Sequence, residues 1–431
     1  MRVRIVLGVV LAAALLFGLG ALAGRPSGGA PASAPAASDR PQGTSRLAVT
    51  ITAQQERLKK VPGDWTAWAA LGEAYLEQSR VLADPAYYPK AEGALRRSLE
   101  VRPDGNAAAL AGLGALANAR HDFAAAKTLA EQALAVNAWS DTAYGVLADA
   151  ETQLGHPDAA TAAVQRMLDL RPGLGSYTRG SYDLEQHGKR TEAVALMQQA
   201  LASATEPADI AFCHQHLAGL AWATGDLATA SRHVSLGLAA DAGTVGLWQV
   251  KAKLDTAAGD LTAALADLDK VVARTPTVDA LLDQARLLRV AGKDPAPALD
   301  LARAAHALFT ANGGTDDLGA AALALAAGDA AAAARLAIAE WDRRQFGEVA
   351  DMVAWTLFSA GDPAAALPFA RHANALGQVD ATLAYHYGMV ADAAGDKETA
   401  RLQLRLALAL NPRFSPTDAP IAVRTLTALE S

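Results

Sequence analysis

Internal repetition is the feature that most constrains the fold of this chain. Four stretches place a bulky or apolar residue up to four positions before a small one, and an alanine follows about twelve residues later. The stretches are Trp68 to Gly72, Leu110 to Gly114, Tyr144 to Ala148 and Ala384 to Gly388. Further on, Pro103, Ala138 and Pro172 recur at steps of 35 and 34 residues. A period of roughly 34 residues is typical of a unit built from two helices.

A second marker lies between the two helices of each unit. Glycine can adopt the left-handed conformation that ends a helix, and the aspartate after it can cap the next helix. A proline after the second helix then prevents that helix from continuing. The clearest copies are Gly225-Asp226, Gly259-Asp260, Gly328-Asp329, Gly361-Asp362 and Gly395-Asp396. The pattern therefore predicts a helix, a tight turn, a second helix and a stop.

This pattern resembles the tetratricopeptide repeat family. Matching positions are the bulky first-helix residue (Trp68, Tyr144, Tyr177, Trp248), the small residue (Gly72, Gly114, Ala148, Ala218, Ala252, Gly388), the second-helix alanine (Ala91, Ala126, Ala160, Ala193, Ala230, Ala264, Ala366, Ala400) and the final proline (Pro103, Pro172, Pro276, Pro412). The resemblance implies an all-α, right-handed superhelical solenoid with a concave groove. We expect about ten hairpins over residues 47–415 and a capping helix within residues 416–431. The eighth unit is alanine-rich and lacks a bulky first-helix residue, so we expect the array to be thinnest there.

Composition agrees with many short helices and narrows the range of partners. Hydrophobic residues make up 52% of the chain and aromatic residues only 5%, because alanine and leucine supply the excess. The net charge of −7 predicts no general attraction to nucleic acid. Cys213 is the only cysteine, so the fold cannot depend on an internal disulfide.

The N-terminal residues 1–24 are typical of an export signal or a membrane anchor. Arg2 and Arg4 precede an uncharged apolar run from Ile5 to Ala23. The small residues at its end suit cleavage, while its length also suits a membrane span, so both readings stay open. Residues 25–46 are rich in Pro, Ala and Ser, which favours a disordered linker. We expect the array to be extracytoplasmic, either secreted or anchored in the cytoplasmic membrane.

No motif in the sequence predicts catalysis, a metal or a cofactor. Cys213, His214 and His216 form the only metal-like cluster, but neighbouring positions on a helix point about 100° apart and do not converge on one ion. Common phosphate-binding, nucleophile and zinc-protease motifs are absent from the sequence. We therefore expect no enzyme activity, no metal and no cofactor.

The resemblance also implies which residues face the concave groove. Aromatic residues and arginine there would suit a protein or peptide partner, although each ring could equally fill the space between helices. These positions are Tyr182, Gln186, Trp222, Lys253, Arg286, Arg289, Trp355, Phe358, Tyr385 and Met389. They predict a groove with a basic middle and aromatic residues toward its C-terminal half.

The function favoured by the sequence is a protein-interaction scaffold in the cell envelope that binds a partner in the groove, with membrane contact only through the N-terminal segment. One alternative is an α/α-toroid enzyme acting on carbohydrate, which the short period and short turns oppose. Another is a cytoplasmic regulator with a misread or cleaved leader.

Overall fold

The computed structural model describes residues 42–431, with side chains from Arg46 onward, and this part of the chain is built from α-helices with one short 3-10 turn at Pro85–Tyr87. The predicted leader (residues 1–24) and most of the predicted linker lie outside the described residues. The helices are α1 (Gln42–Lys60), α2 (Trp65–Leu82), α3 (Tyr88–Val101), α4 (Ala107–Ala119), α5 (Phe123–Val136), α6 (Asp141–Leu154), α7 (Pro157–Leu170), α8 (Leu174–Gln186), α9 (Arg190–Ser203), α10 (Pro207–Ala223), α11 (Leu227–Ala240), α12 (Val245–Ala258), α13 (Leu261–Arg274), α14 (Val278–Val290), α15 (Ala296–Ala311), α16 (Asp317–Ala326), α17 (Ala330–Arg343), α18 (Gly347–Ser359), α19 (Pro363–Ala373), α20 (Ala381–Ala393), α21 (Lys397–Leu410) and α22 (Asp418–Glu430).

Helices α2 to α21 pair into ten antiparallel hairpins, numbered 1 to 10 in chain order, each with a first helix A and a second helix B. Helix α1 packs on α2, and α22 packs on α21 at the other end. The prediction of an all-α solenoid of about ten hairpins with a C-terminal helix is confirmed. The first helix begins at Gln42, inside the segment 25–46 that we expected to be a linker. In hairpin 8, α16 has 10 residues and is the shortest α-helix of the described residues.

Small residues set the distance between the helices of a hairpin. The eight second-helix alanines picked out by the repeat are each at most 2% exposed, so they form the contact with helix A. Glycine takes the facing position where even a methyl group would not fit. A Cβ on Gly72 would lie 2.5 Å from Leu95 Cγ, and one on Gly114 would lie 3.3 Å from the carbonyl oxygen of Ala126. The repeat register predicted for these residues is therefore correct.

The turn between helices A and B is the predicted Gly-Asp turn. In the five clearest copies the glycine has a φ between +70° and +90°, which side-chain-bearing residues rarely adopt. The aspartate then accepts a hydrogen bond from a backbone N–H in the first turn of helix B, as Asp226 does from Thr229 at 3.0 Å. Each of these five turns therefore combines a left-handed glycine with an aspartate side chain that caps helix B.

The A helices form the inner wall of the solenoid. The A helices of successive hairpins contact one another, as α2 does α4, α4 does α6 and α18 does α20. Each B helix packs mainly on its own A helix and on the A helix that follows. Because the A helices are closer together than the B helices, the stack curves with its A helices on the concave side.

The curvature is tight enough for one superhelical turn to rest on the next. Turns between helices A and B in hairpins 2 to 5 meet the loops that precede α16, α18, α20 and α22, and we call this contact the seam. Thr315 donates its backbone N–H to Arg120 O at 3.0 Å, Gln345 to Leu154 O at 3.4 Å, and the Asn411 side-chain amide donates to Trp222 O at 2.9 Å. Between the last two contacts, a Cβ on Gly188 would overlap the carbonyl oxygen of Gly377. The seam keeps the same register over four consecutive hairpins.

Arg344 is a buried charged residue of the seam. Its guanidinium donates to Glu340 on its own helical segment and to Gln153 across the seam. The same group lies 5.1 Å from the centre of the Phe123 ring. A buried arginine is stable only when its donors are satisfied, so this site fixes the two superhelical turns against each other.

We expect Gly188→Ala to open the seam, with Gly361→Ala as its matched control. Both glycines have positive φ, +68° and +90°, so alanine costs each about 1–2 kcal/mol of backbone strain. Only at Gly188 does the new methyl group also strike another superhelical turn, since nothing lies within 4 Å of a Cβ at Gly361. Gly188→Ala should therefore raise the radius of gyration in small-angle scattering and speed amide exchange around residues 374–380.

Gly361→Ala should lower the melting temperature without changing either of those measurements. Equal expansion in the two variants would contradict the seam as the contact that holds the turns together.

Candidate functional site

Two of the predicted groove aromatics do not face the groove. Trp355 and Tyr385 are each only 1% exposed and lie with their ring centres 5.8 Å apart. Trp355 stacks on His386 at 4.0 Å, and Phe414 covers Tyr385 at 5.5 Å. The expectation of an exposed ring at these positions is corrected, because α18 and α20 pack directly on each other and the segment before α22 folds over α20. These rings belong to a core that continues from Leu282 to Ala422.

The other predicted groove residues lie on A helices and keep part of their surface, except for the buried Gln186. Phe358 and Met389 pack beside the C-terminal core, which leaves them half-buried. The remaining half-buried positions are Tyr182, Trp222, Lys253 and Arg286, while Arg289 is exposed. Whether any of them contacts a partner stays a prediction.

Two of the three basic residues in the predicted middle of the groove have local partners. Arg286 forms an ion pair with Asp283 at 2.8 Å. Arg289 donates to the carbonyl oxygen of Ala326 at 2.7 Å, in the next A helix. Both guanidinium groups therefore donate hydrogen bonds within the solenoid.

The inner helices instead carry carboxyl groups that sequence reasoning missed. Burial raises the pKa of Glu73, Glu185 and Glu348 to about 7 in each case, and none of the three forms an ion pair with a described residue. Burial also raises the pKa of Asp279 well above its usual range, and the nearby Asp316 adds to that effect. All four lie on A helices and are half-buried. Strongly shifted groups without a structural partner are candidates for function.

Three of these groups share one region with Tyr182 on α8. Burial raises the pKa of the Tyr182 phenol, and the charges of Glu348 and Glu185 raise it further. Glu348 belongs to α18, five hairpins later, so the field at Tyr182 comes from two superhelical turns. Asp380, before α20, likewise raises the pKa of Glu185, and Glu348 raises that of Asp279. The seam thus brings carboxylates from distant hairpins to one inner surface, which we call the acidic inner face (Glu185, Asp279, Glu348 and Tyr182).

The cluster around Cys213 does not converge on one point. Cys213 is buried, His214 places its Nδ1 2.9 Å from Nδ1 of His233, and His216 packs edge-on against Phe212. Burial lowers the pKa of His216 to about 4. Within residues 42–431 no group of three or more His, Cys, Asp or Glu side chains is arranged to hold a metal ion.

Comparisons with known proteins find similarity in fold. No protein-family model matches the sequence. No curated protein matches it either. Among solved structures, a tetratricopeptide repeat protein from Parabacteroides merdae is 17% identical, with a TM-score of 0.36, 60% of this chain covered and 99% of that one. The APC/C hetero-tetramer Cut9–Hcn1 gives 13% identity, a TM-score of 0.39 and coverage of 90% and 94%. YrrB, described as a TPR protein with an unusual peptide-binding site, gives 15% identity, a TM-score of 0.27 and coverage of 56% and 99%.

The class of the protein follows from its own hairpins. Ten A/B pairs at the predicted period, with the predicted alanines and glycines at the helix contacts, make it a solenoid of tetratricopeptide-type repeats. The identities and TM-scores are too low for any residue or role to be carried over from the solved structures. Among the described helices, none combines the length and the apolar character that crossing a membrane requires.

We expect the double variant Glu185→Gln/Glu348→Gln to gain stability relative to the parent protein as pH rises. Each carboxyl has a pKa near 4.5 when unfolded and about 7 when folded, so the folded state holds more protons between these values. The stabilisation of the folded state by these protonated carboxyls is therefore fully present below pH 4.5 and is lost as the pH rises through 7. Glutamine stays neutral and avoids that loss. The difference in melting temperature between variant and parent should grow between about pH 5 and pH 8.

Glu398→Gln is the control, because Glu398 is an exposed carboxyl on the B helix α21. A pH-independent difference for the inner double variant would show that these carboxyls titrate normally.

Proposed function

We propose that this protein is a scaffold of the cell envelope that holds an extended, positively charged segment of a partner protein along its acidic inner face. The observation that carries the proposal is the set of inner carboxyls whose pKa is raised by burial and which form no ion pair with a described residue. Ionising such a group inside the solenoid is costly, and a lysine or arginine of a partner would remove that cost.

The shape of the inner surface favours an extended segment over a folded domain. Successive superhelical turns touch along the seam, so the A helices bound the interior without a gap between turns at that contact. An extended chain is narrow and exposes side chains on alternate sides, which suits carboxylates that come from several hairpins. Half-buried Tyr182 supplies apolar surface beside those charges.

The form of the hairpins favours a binding role over the alternative of an α/α-toroid enzyme acting on carbohydrate. The hairpins keep the short period and the tight Gly-Asp turns, so they carry no long loops at one end of the array. The shifted carboxyls come from α8, α14 and α18 and lie along the wall of the solenoid.

Binding can be measured with fluorescent peptides of one length and three compositions, rich in lysine, in glutamate or in uncharged residues. We expect the lysine-rich peptide alone to bind the full-length protein, with affinity rising as pH passes through 7, where the carboxyls ionise. Glu185→Gln/Glu348→Gln should weaken it about tenfold or more, which is 1.4 kcal/mol. The affinity should fall with added salt.

Glu398→Gln should leave that affinity within about twofold of the parent value, since an exposed charge is screened by salt. Equal binding of the lysine-rich and glutamate-rich peptides would contradict the proposal, as would an inner double variant that binds like the parent.

The envelope location rests on the sequence of residues 1–24, where two arginines precede an apolar run. We expect cell fractionation to recover the protein with membranes or beyond the cytoplasmic membrane. Replacing Arg2 and Arg4 with glutamate should disturb that distribution, because positive charge sets the orientation of such segments. Recovery of the parent protein in the soluble cytoplasm with Met1 intact would contradict this location.

A further inference from the structure

The seam uses only part of the surface that could form it. Turns between helices A and B in hairpins 6 to 10 repeat the glycine conformation of three of the four seam turns, but nothing lies within 4 Å of a Cβ built on their glycines. We call these five turns the open turn edge, at Gly259, Gly292, Gly328, Gly361 and Gly395. The loops that precede α4, α6 and α8 are the counterparts of the seam loops in the first superhelical turn, and we call them the open loop edge (residues 102–106, 137–140 and 171–173).

One loop of the open loop edge has the same local structure as a loop of the seam. Asn411 follows helix α21, and its Oδ1 accepts the backbone N–H two residues later at 2.9 Å. Asn137 follows helix α5 and makes the same turn with the N–H of Trp139 at 3.1 Å. The amide nitrogen of Asn411 then crosses the seam to Trp222 O, whereas that of Asn137 has no hydrogen bond to a described residue. Asn137 thus presents the donor that forms the seam, without an acceptor.

The two loops also differ in the exposure of their aromatic side chains. Phe414, in the seam loop, is 7% exposed because it packs on Tyr385. Trp139, in the open loop, is 72% exposed and is the only aromatic residue among the exposed large hydrophobic side chains of residues 46–431. Its one neighbour of note is the Arg166 guanidinium, 5.5 Å from the ring centre. Tryptophan and arginine together are typical of the centre of a protein interface.

We propose that the open loop edge of one molecule docks on the open turn edge of a second copy of this chain, extending the seam from one molecule to the next. The docking partner is a second copy of this chain, because the two open edges reproduce the two sides of the seam that the chain already makes with itself. The contact is head-to-tail, so each copy keeps one free edge after docking. Such an interface does not close on itself, and it builds short linear chains of molecules.

The test is sedimentation velocity of the full-length protein in detergent micelles over a range of concentrations. The loop-edge variant is Asn137→Ala/Trp139→Ala. The turn-edge variant is Ala327→Arg/Ala360→Arg, at two exposed positions just before open glycines with ordinary helical φ values of −81° and −78°. Leu402→Ala is the control, since Leu402 is a 63% exposed apolar residue on the B helix α21, away from both edges. Circular dichroism checks that every variant is folded. If the loop-edge double variant does not fold, the single variant Trp139→Ala replaces it.

We expect the parent and Leu402→Ala to grow with concentration beyond dimers, and each edge variant to associate at least tenfold more weakly. Mixing the two edge variants should restore association but stop at one-to-one dimers, because one intact edge of each kind remains. A parent that stays monomeric at every concentration would overturn the proposal. Association that both edge variants retain would also overturn it, because the contact would then belong to the N-terminal segment. Failure of the two edge variants to pair when mixed would overturn it as well.

Discussion

The close contact between the two helices of each hairpin is the interaction on which the rest of this structure depends. Alanine on helix B and glycine or alanine on helix A allow the helix axes to approach, since the distance between packed helices is set by the side chains between them. Leu95 fills the space beside Gly72 so completely that a single added carbon would overlap it. Thin hairpins stack with a strong curvature, and the strong curvature is what brings hairpins 2 to 5 under the loops of the second superhelical turn.

That curvature also determines the electrostatics of the interior. Glu185 and Glu348 lie on helices five hairpins apart, yet both act on the phenol of Tyr182. In an open, gently curved solenoid each carboxyl would face water and keep an ordinary pKa. Here burial raises the pKa of each to about 7. The acidic inner face is therefore a property of the superhelix, and no single hairpin possesses it.

The sequence predicts the local structure well because local structure depends on local residues. Glycine, aspartate and alanine at fixed spacing define the turn, the cap and the helix contact, and the structure places Gly225, Asp226 and Ala230 as that spacing requires. The groove was harder to predict. The repeat pattern predicts that Trp355 faces the groove, but it cannot show that His386 and Tyr385 cover the ring.

The seam had no signal in the sequence at all. Its donors, such as Arg344 and Asn411, are ordinary loop residues, and they meet Gln153 and Trp222 only because of the accumulated rotation of the hairpins between them. The inner carboxyls could have been found in part, since Glu185 lies three residues after Tyr182 on the same helix. The surface that these carboxyls share could not have been predicted, because it depends on the accumulated rotation between distant hairpins.

The seam changes how folding energy is distributed along the chain. Repeat arrays normally behave as one-dimensional systems in which each unit feels only its neighbours, so the ends can fray while the middle stays folded. Here the hydrogen bond from Gln345 to Leu154 joins residues 191 positions apart, and similar bonds continue on either side of it. Loss of a hairpin in the first superhelical turn removes support from the second. The array therefore gains the cooperativity of a globular domain, together with the slower folding that goes with contacts between distant parts of the sequence.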